Sequence, residues 1–306
     1  MKILIAGARG QLGRDCTSVL SPKHAVTALD LPEFDITAPA QVRQTLADVR
    51  PEVVLNCAAY TRVDDCEDHR DEAWRLNAAG PGILADAADR IGARLVHIST
   101  DYVFDGQRPL PHPYLEEDST RPLSWYGQSK LDGETAVQNS CRHWIILRTA
   151  WLYGRYGANF PKTMLRLALR NPTGPIRVIN EQYGSPTWSW RLAEQVETVI
   201  AAEAQGLFHA TAEGCGTWFD LAARFLSAMQ VPHTLQPCRI ADYPTRAARP
   251  VNSILENARL KKAALNIMRD WRDDLDEYAA RYRLELLAEV RATLPNPSRG
   301  TGGMKP

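Results

Sequence analysis

The chain opens on a short apolar run, Lys2-Ile-Leu-Ile-Ala6, that leads directly into Gly7-x-x-Gly10-x-x-Gly13 and then into a helical pattern. A strand, a glycine-rich turn and a helix in that order are the first step of a dinucleotide-binding α/β fold. Glycine permits the tight turn and lets backbone approach a pyrophosphate, and the helix N-terminus that follows favours the anion. The spacing is not the Gly-x-Gly-x-x-Gly of the common dehydrogenase fingerprint, so a purely structural turn is the other reading of the same residues.

The alternation continues along the first half. Residues 25–29 form a second apolar run that ends in Asp30, and Asp35–Pro39 reads as a loop and helix start with Pro39 in the first turn. Val53–Ala59, Arg94–Ser99 and Trp144–Arg148 read as further buried strands. A long helical pattern runs from about Glu67 to Ile91, with Gly80-Pro81-Gly82 inside it marking a kink or a close packing point. Strands alternating with helices predict a parallel, doubly wound sheet covered on both faces. After Ala150 the texture changes: short runs such as Ile176–Ile179 and Leu207–Ala210 alternate with helices between Pro- and Gly-containing loops. The expected organisation is a Rossmann-type α/β domain over residues 1–150 and a smaller α/β substrate-binding lobe over residues 151–290, laid over the carboxyl edge of the sheet. Crossings of the chain between the two are expected. Residues 294–306 read as a disordered tail.

Charge and cysteine usage narrow the class of partner. Lys+Arg and Asp+Glu both number 36, so nothing points to a nucleic acid or a membrane surface. No apolar run is long enough to span a bilayer, and the N-terminal one is too short for a secretory signal. The six cysteines (Cys16, Cys57, Cys66, Cys141, Cys215 and Cys238) include no C-x-x-C pair, and no two of the seven histidines stand at H-x-x-x-H spacing. The expectation is a cytoplasmic protein with reduced thiols and no structural metal.

Three features carry chemistry. In Tyr126-Gly-Gln-Ser-Lys130 a phenol and an ammonium four residues apart share one helix face. The cation is expected to lower the phenol pKa, and a phenol so tuned gives a proton to a carbonyl oxygen or takes one from an alcohol. Ser99-Thr100-Asp101 closes a central strand, where ligands bind in an open α/β sheet. A Thr100 hydroxyl there can hold a substrate carbonyl for the tyrosine; ordinary cap or turn chemistry is the alternative. Asp30 is placed to accept from an adenosine ribose, which favours NAD(H), whereas Arg9 inside the glycine loop could pair with a 2′-phosphate, so the choice of cofactor stays open.

Together these features resemble the extended short-chain dehydrogenase/reductase superfamily. Gly7-Ala-Arg-Gly-Gln-Leu-Gly13, Asn56-Cys-Ala-Ala-Tyr-Thr61, Leu76-Asn-Ala78, Ser99-Thr-Asp-Tyr-Val-Phe104, Tyr126-Gly-Gln-Ser-Lys130, Arg148-Thr-Ala-Trp-Leu-Tyr153, Asn159-Phe160, Gln182-Tyr-Gly-Ser-Pro-Thr187 and Arg249-Pro-Val-Asn-Ser253 are similar to the dTDP-4-dehydrorhamnose reductase branch. The resemblance runs in order through most of residues 1–285. It implies reduction of the C4 ketone of dTDP-6-deoxy-L-lyxo-4-hexulose by NADPH or NADH. Carried over, Tyr126 would be the proton donor, Lys130 would bind the nicotinamide ribose and lower the Tyr126 pKa, and Thr100 would hold the ketone oxygen. Gly7, Arg9, Gly10, Gln11, Leu12 and Asp30 would line the pyrophosphate and adenosine side, with Ala58, Ala59 and Thr61 beside the nicotinamide half. Asp101, Tyr102 and Trp151 would touch the sugar, and Arg249 the nucleotide pyrophosphate. Some members of this family hold a magnesium ion at a dimer contact through glutamates. The matching positions here look like Asp15 and Trp190, and an indole cannot ligate Mg²⁺, so neither that ion nor that dimer is expected. A monomer and a homodimer both remain open. Two other functions fit the same residues: a nucleotide-sugar 4-epimerase that retains NAD, and a non-catalytic NADP-binding regulatory subunit.

Overall fold

The computed structural model describes residues 1–294; most of the expected tail, residues 295–306, lies outside the described residues. The elements run β1 (Lys2–Ala6), α1 (Gln11–Leu20), β2 (Ala25–Leu29), α2 (Pro39–Val49), β3 (Val53–Asn56), α3 (Asp65–Asp68), α4 (Arg70–Trp74), a π turn (Arg75–Ala79), α5 (Gly80–Arg90), β4 (Arg94–Thr100), α6 (Trp125–Ser140) and β5 (Trp144–Thr149). Then follow β6 (Leu152–Tyr153), α7 (Phe160–Arg170), β7 (Pro175–Ile179), β8 (Tyr183–Gly184), β9 (Thr187–Trp188), α8 (Ser189–Ala201), β10 (Gly206–His209), β11 (Gly216–Thr217), α9 (Trp218–Ala228), β12 (Thr234–Cys238), α10 (Ala258–Lys262) and α11 (Trp271–Ala292).

Six parallel strands form the central sheet in the order β10-β5-β4-β3-β1-β2. Inner strands β1 and β3 are nearly continuous apolar runs because helices cover both faces. One face packs Ile3, Ile5, Val53 and Val96 against α1 and α8; the other packs Leu4, Val54, Leu95 and Ile146 against α2, α5 and α6. The strand order reverses beside β1, so the carboxyl ends of β1, β3 and β4 open a crevice for a ligand. Gly7 turns the chain there at φ +76°; a Cβ on it would sit 2.5 Å from the Ala58 nitrogen, so the loop after β3 can close against the loop after β1 only over a glycine.

The second half is divided between two cores. Tyr153, Leu165, Trp188, Leu221, Phe225, Trp271, Leu275 and Tyr278 form a separate apolar cluster over the carboxyl edge of the sheet. Residues 189–210 return to the first core: α8 packs on α1, and β10 pairs with β5 as the edge strand. The run Leu207–Ala210, assigned from sequence to the smaller lobe, therefore belongs to the central sheet.

Two other expectations change in the same way. The strand expected over Val53–Ala59 stops at Asn56, because the Asn56 side chain accepts from the Ala58 N–H at 3.0 Å and replaces the next ladder bond. The helix expected from Glu67 to Ile91 is three helices and a π turn. His69 leaves helical geometry at φ −115°, ψ 51°, and the π turn just before Gly80-Pro81 directs Asn77 inward. Asn77 accepts from the Tyr60 N–H at 2.8 Å and donates to Ser129 Oγ at 3.0 Å, tying the loop after β3 to α6.

Candidate active site

α6 begins at Ser124, whose Oγ accepts from the Gly127 N–H at 3.2 Å, and this cap sets Tyr126 and Lys130 in its first two turns. The helix lies along β4, so the tyrosine and lysine reach the carboxyl end of the strand where Thr100 and Asp101 end it. All four line one cavity of about 490 Å³ between the sheet and the smaller lobe. Gly10, Gln11 and Leu12 form its floor at the start of α1, Ala59 and Thr61 the β3 side, and Tyr102 and Trp151 the lobe side. The Tyr102 ring meets the Tyr126 ring edge-on at 5.5 Å.

Burial dominates the electrostatics. It holds the Tyr126 phenol above its ordinary pKa, with the Thr100 hydroxyl acting in the opposite direction. It pushes the Lys130 ammonium down to about 8, against the opposing pull of Glu134 and Cys57. It raises the Asp101 carboxyl to about 6. The expected lowering of the Tyr126 pKa by Lys130 is not present in the protein alone. The Lys130 Nζ donates to the Ile98 carbonyl at 2.7 Å and faces His97 rather than supplying charge to the phenol. Thr100 Oγ1 donates to Asp101 Oδ1 at 3.0 Å, while Asp101 Oδ2 has no partner among the described residues.

The residues suit a dinucleotide. The residue capping the start of α1 is Gly10, which offers no side-chain cap, so the first amides of the helix are free to meet a pyrophosphate. Asp30 directly follows β2, where its Oδ2 accepts from the Arg9 N–H at 2.7 Å.

The comparisons agree with this geometry. Residues 1–284 match the family described as "RmlD substrate binding domain". The chain belongs to that family. It is 40% identical over 286 residues to the dTDP-4-dehydrorhamnose reductase of Salmonella typhimurium, covering 89% of this chain and 94% of that one. It is 41% identical over 283 residues to the probable dTDP-4,6-dihydroxy-2-methyloxan-3-one 4-ketoreductase of Streptomyces antibioticus, covering 90% and 94%. Among solved structures, the Bacillus anthracis dTDP-4-dehydrorhamnose reductase in complex with NADP superimposes with a TM-score of 0.88 at 36% identity, covering 92% of this chain and 99% of that one.

Within this RmlD-type frame some residues expected at the site stand away from the cavity wall. Gly7 lies under the loop, and the Ala58 N–H is committed to Asn56. The Arg9 guanidinium is exposed and engaged by the Leu31 carbonyl at 2.6 Å and Glu33 at 2.8 Å. Arg249 is paired with Asp64, its Nη2 at 2.7 Å from Oδ2, and so clasps the segment before Asn252 to the loop after β3. Asp15 is buried and accepts from the Ser189 hydroxyl, and the Trp190 indole donates to Glu194 at 3.1 Å beneath the Arg281 guanidinium. Among the described residues no group of three or more His, Cys, Asp or Glu side chains could hold a metal ion.

Sequence reasoning missed Trp218, Phe160 and Cys57, which also line the cavity. Trp218 carried only a weak signal, a tryptophan directly after the Thr217 capping residue of α9. Glu134 was missed as well. It stands one turn beyond Lys130 on α6, buried, and accepts from Arg148 at 2.8 and 2.7 Å and from Ser99 Oγ at 2.6 Å. The i, i+4 spacing from Lys130 was its available signal.

Proposed function

We propose that the protein reduces the C4 ketone of dTDP-6-deoxy-L-lyxo-4-hexulose to dTDP-L-rhamnose with NADPH or NADH. The observation that carries this reading is the set Thr100, Tyr126 and Lys130 on one wall of the inter-lobe cavity, in a chain 40% identical to a named dTDP-4-dehydrorhamnose reductase over nearly its whole length. The bound dinucleotide supplies the hydride. Gly10 and Gln11 at the head of α1 would take its pyrophosphate, with Asp30 and Arg9 at the adenosine end. Lys130 would take the nicotinamide ribose, and Ala58, Ala59 and Thr61 would flank the nicotinamide. Tyr126, and Thr100 once its hydroxyl turns from Asp101, would place two hydroxyl donors on the ketone oxygen, stabilising the charge that develops there as hydride arrives, and Tyr126 would complete the alcohol by giving up its proton. Asp101, which lines the cavity beside Thr100, would accept from a sugar hydroxyl. Tyr102 and Trp151 would cover the sugar, and Arg249 would reach the nucleotide pyrophosphate after release from Asp64. The reaction belongs in the cytoplasm, and among the described residues no helix is long and apolar enough to cross a membrane.

A second reading keeps the chemistry and changes the sugar. The 41% identity to the probable ketoreductase of Streptomyces antibioticus favours another dTDP-linked 4-keto-deoxyhexose. Purified protein supplied with enzymatically made dTDP-4-keto sugars, differing at C2 and at C5, tests both while NADH and NADPH oxidation are followed in parallel. Oxidation with the 6-deoxy-L-lyxo sugar and formation of dTDP-L-rhamnose support the first reading. Turnover confined to another 4-keto sugar selects the second. Cofactor carried through purification with no net oxidation would mark an epimerase. No turnover, with capture of a partner synthetase subunit, would mark a regulatory subunit.

A further inference from the structure

Beneath the cavity wall the hydrogen bonds of Asn56 settle the tautomer of His97 by elimination. The Ala58 N–H can only donate, so the Asn56 atom 3.0 Å from it is the amide oxygen. The Asn56 amide nitrogen then faces His97 Nδ1 at 3.1 Å, and it too can only donate. Nδ1 therefore accepts, and the His97 proton is on Nε2. That Nε2 lies 3.5 Å from Lys130 Nζ. All three side chains are buried, His97 and Asn56 almost completely. An Nε2–H facing an ammonium sets donor against donor; facing an amine, it meets a lone pair.

We infer that His97, held by Asn56 as the Nε2–H tautomer, is a positioning residue that stabilises the neutral amine of Lys130 and so makes the lysine a ready proton source for Tyr126. This rests on the reductase reading above. As hydride reaches the ketone carbon, the phenol O–H breaks and its proton passes to the ketone oxygen. The Lys130 ammonium, which lines the same cavity as Tyr126, gives up a proton in turn, and a hydroxyl or water between the two carries it to restore the phenol. The amine that remains accepts from His97 Nε2–H and regains its proton from solvent. The other charged and titratable groups acting on Lys130 are Glu134 on α6 and Cys57 on the loop after β3, with Tyr126 one turn earlier on α6. Glu134 is paired with Arg148 and accepts from the Ser99 hydroxyl. Glu134 and Cys57 favour the ammonium, so the histidine N–H is the polar contact that opposes it. Burial acts in the same direction as the histidine and pushes His97 itself well below its ordinary range, which keeps the ring neutral.

Two measurements test this. In ¹⁵N-labelled protein, with His97 assigned by comparison with His97→Gln, the ring should appear as the Nε2–H tautomer across the neutral range. An Nδ1–H tautomer or an imidazolium overturns the proposal, and this readout needs no turnover. The second measurement is the pH profile of kcat at saturating substrates. His97→Leu should move the alkaline limb upward by about one unit, because the ammonium no longer faces a donor. His97→Gln, whose amide N–H can replace Nε2–H, should keep the limb near that of the unaltered protein. A limb unmoved in His97→Leu, or moved equally in His97→Gln, overturns the role and leaves His97 as packing. Protein that reduces no dTDP-4-keto sugar ends the functional reading, while the tautomer still decides the geometry.

Discussion

Trp151 and Trp218 lie face to face, with ring centroids 3.6 Å apart and planes 3° from parallel. The pair joins the strand exit of the nucleotide-binding half to the first turn of α9 in the smaller lobe. Trp151 holds a positive φ of 45°, which an L-residue rarely adopts. Its ring is kept there by Ser253, which accepts from the indole N–H at 3.1 Å, and by Gly184, where a Cβ would stand 2.4 Å from the ring. Both indoles border the cavity that holds Thr100 and Tyr126.

This stack sets the first expectation. Trp218→Ala should raise KM for the sugar nucleotide about tenfold, since an aromatic pair contributes about 0.5–1.5 kcal/mol beyond its buried area. Cofactor affinity should hardly change. Steady-state kinetics with each substrate varied separately checks this, and an equal rise in both KM values would place Trp218 in general lobe stability.

Tyr126→Phe should lower kcat by about 10² to 10⁴, the usual contribution of a general acid. Cofactor affinity, measured by titration of the intact protein, should stay close to that of the parent. Near-normal turnover across the pH range would remove Tyr126 from the reaction.

Asp101 provides a pH test of the fold. Its buried carboxyl holds a proton up to about 6, against an ordinary value of 3.8. Between those values the folded protein binds more protons than the unfolded chain, so this group's contribution to stability falls as pH rises through the window. Asp101→Asn escapes that loss. The Tm difference in favour of the variant should therefore widen from pH 4 to pH 6 and level off above. A difference that stays constant over that range would mean the carboxyl is not held protonated.

Asp30→Ala should weaken NADH more than NADPH, because the carboxylate serves a free 2′-hydroxyl and repels a 2′-phosphate. Here Asp30 also receives the Arg9 N–H. Equal losses in the two Kd values would assign Asp30 to holding the glycine loop alone.

Turnover should survive exhaustive EDTA treatment, and magnesium should cause no change in particle size by light scattering. Asp15 is already engaged by Ser189, and the matching partner position is the Trp190 indole, which offers no oxygen donor. Activity lost in EDTA and restored by magnesium would show that other acids complete a site.

Local chemistry made much of this protein legible from its residues. The apolar run into Gly7, the Tyr126–Lys130 spacing and the Ser99–Asp101 strand end depend on backbone geometry within a few residues, so spacing alone determined the Rossmann-type sheet and gathered Thr100, Tyr126 and Lys130 as candidates. Only the tertiary structure decided what those groups face. The break at His69 and the π turn follow from seating Asn77 between Tyr60 and Ser129. The return of β10 to the sheet follows from an open edge on β5. Arg249 meets Asp64 across 185 residues of chain, and Trp218 meets Trp151 across the lobes. Lys130 faces His97 and the Ile98 carbonyl because α6 crosses β4 at that point. Such pairings are set by where whole elements pack, which helical or strand periodicity does not carry; burial then reverses the pKa direction that the sequence spacing implied for Tyr126.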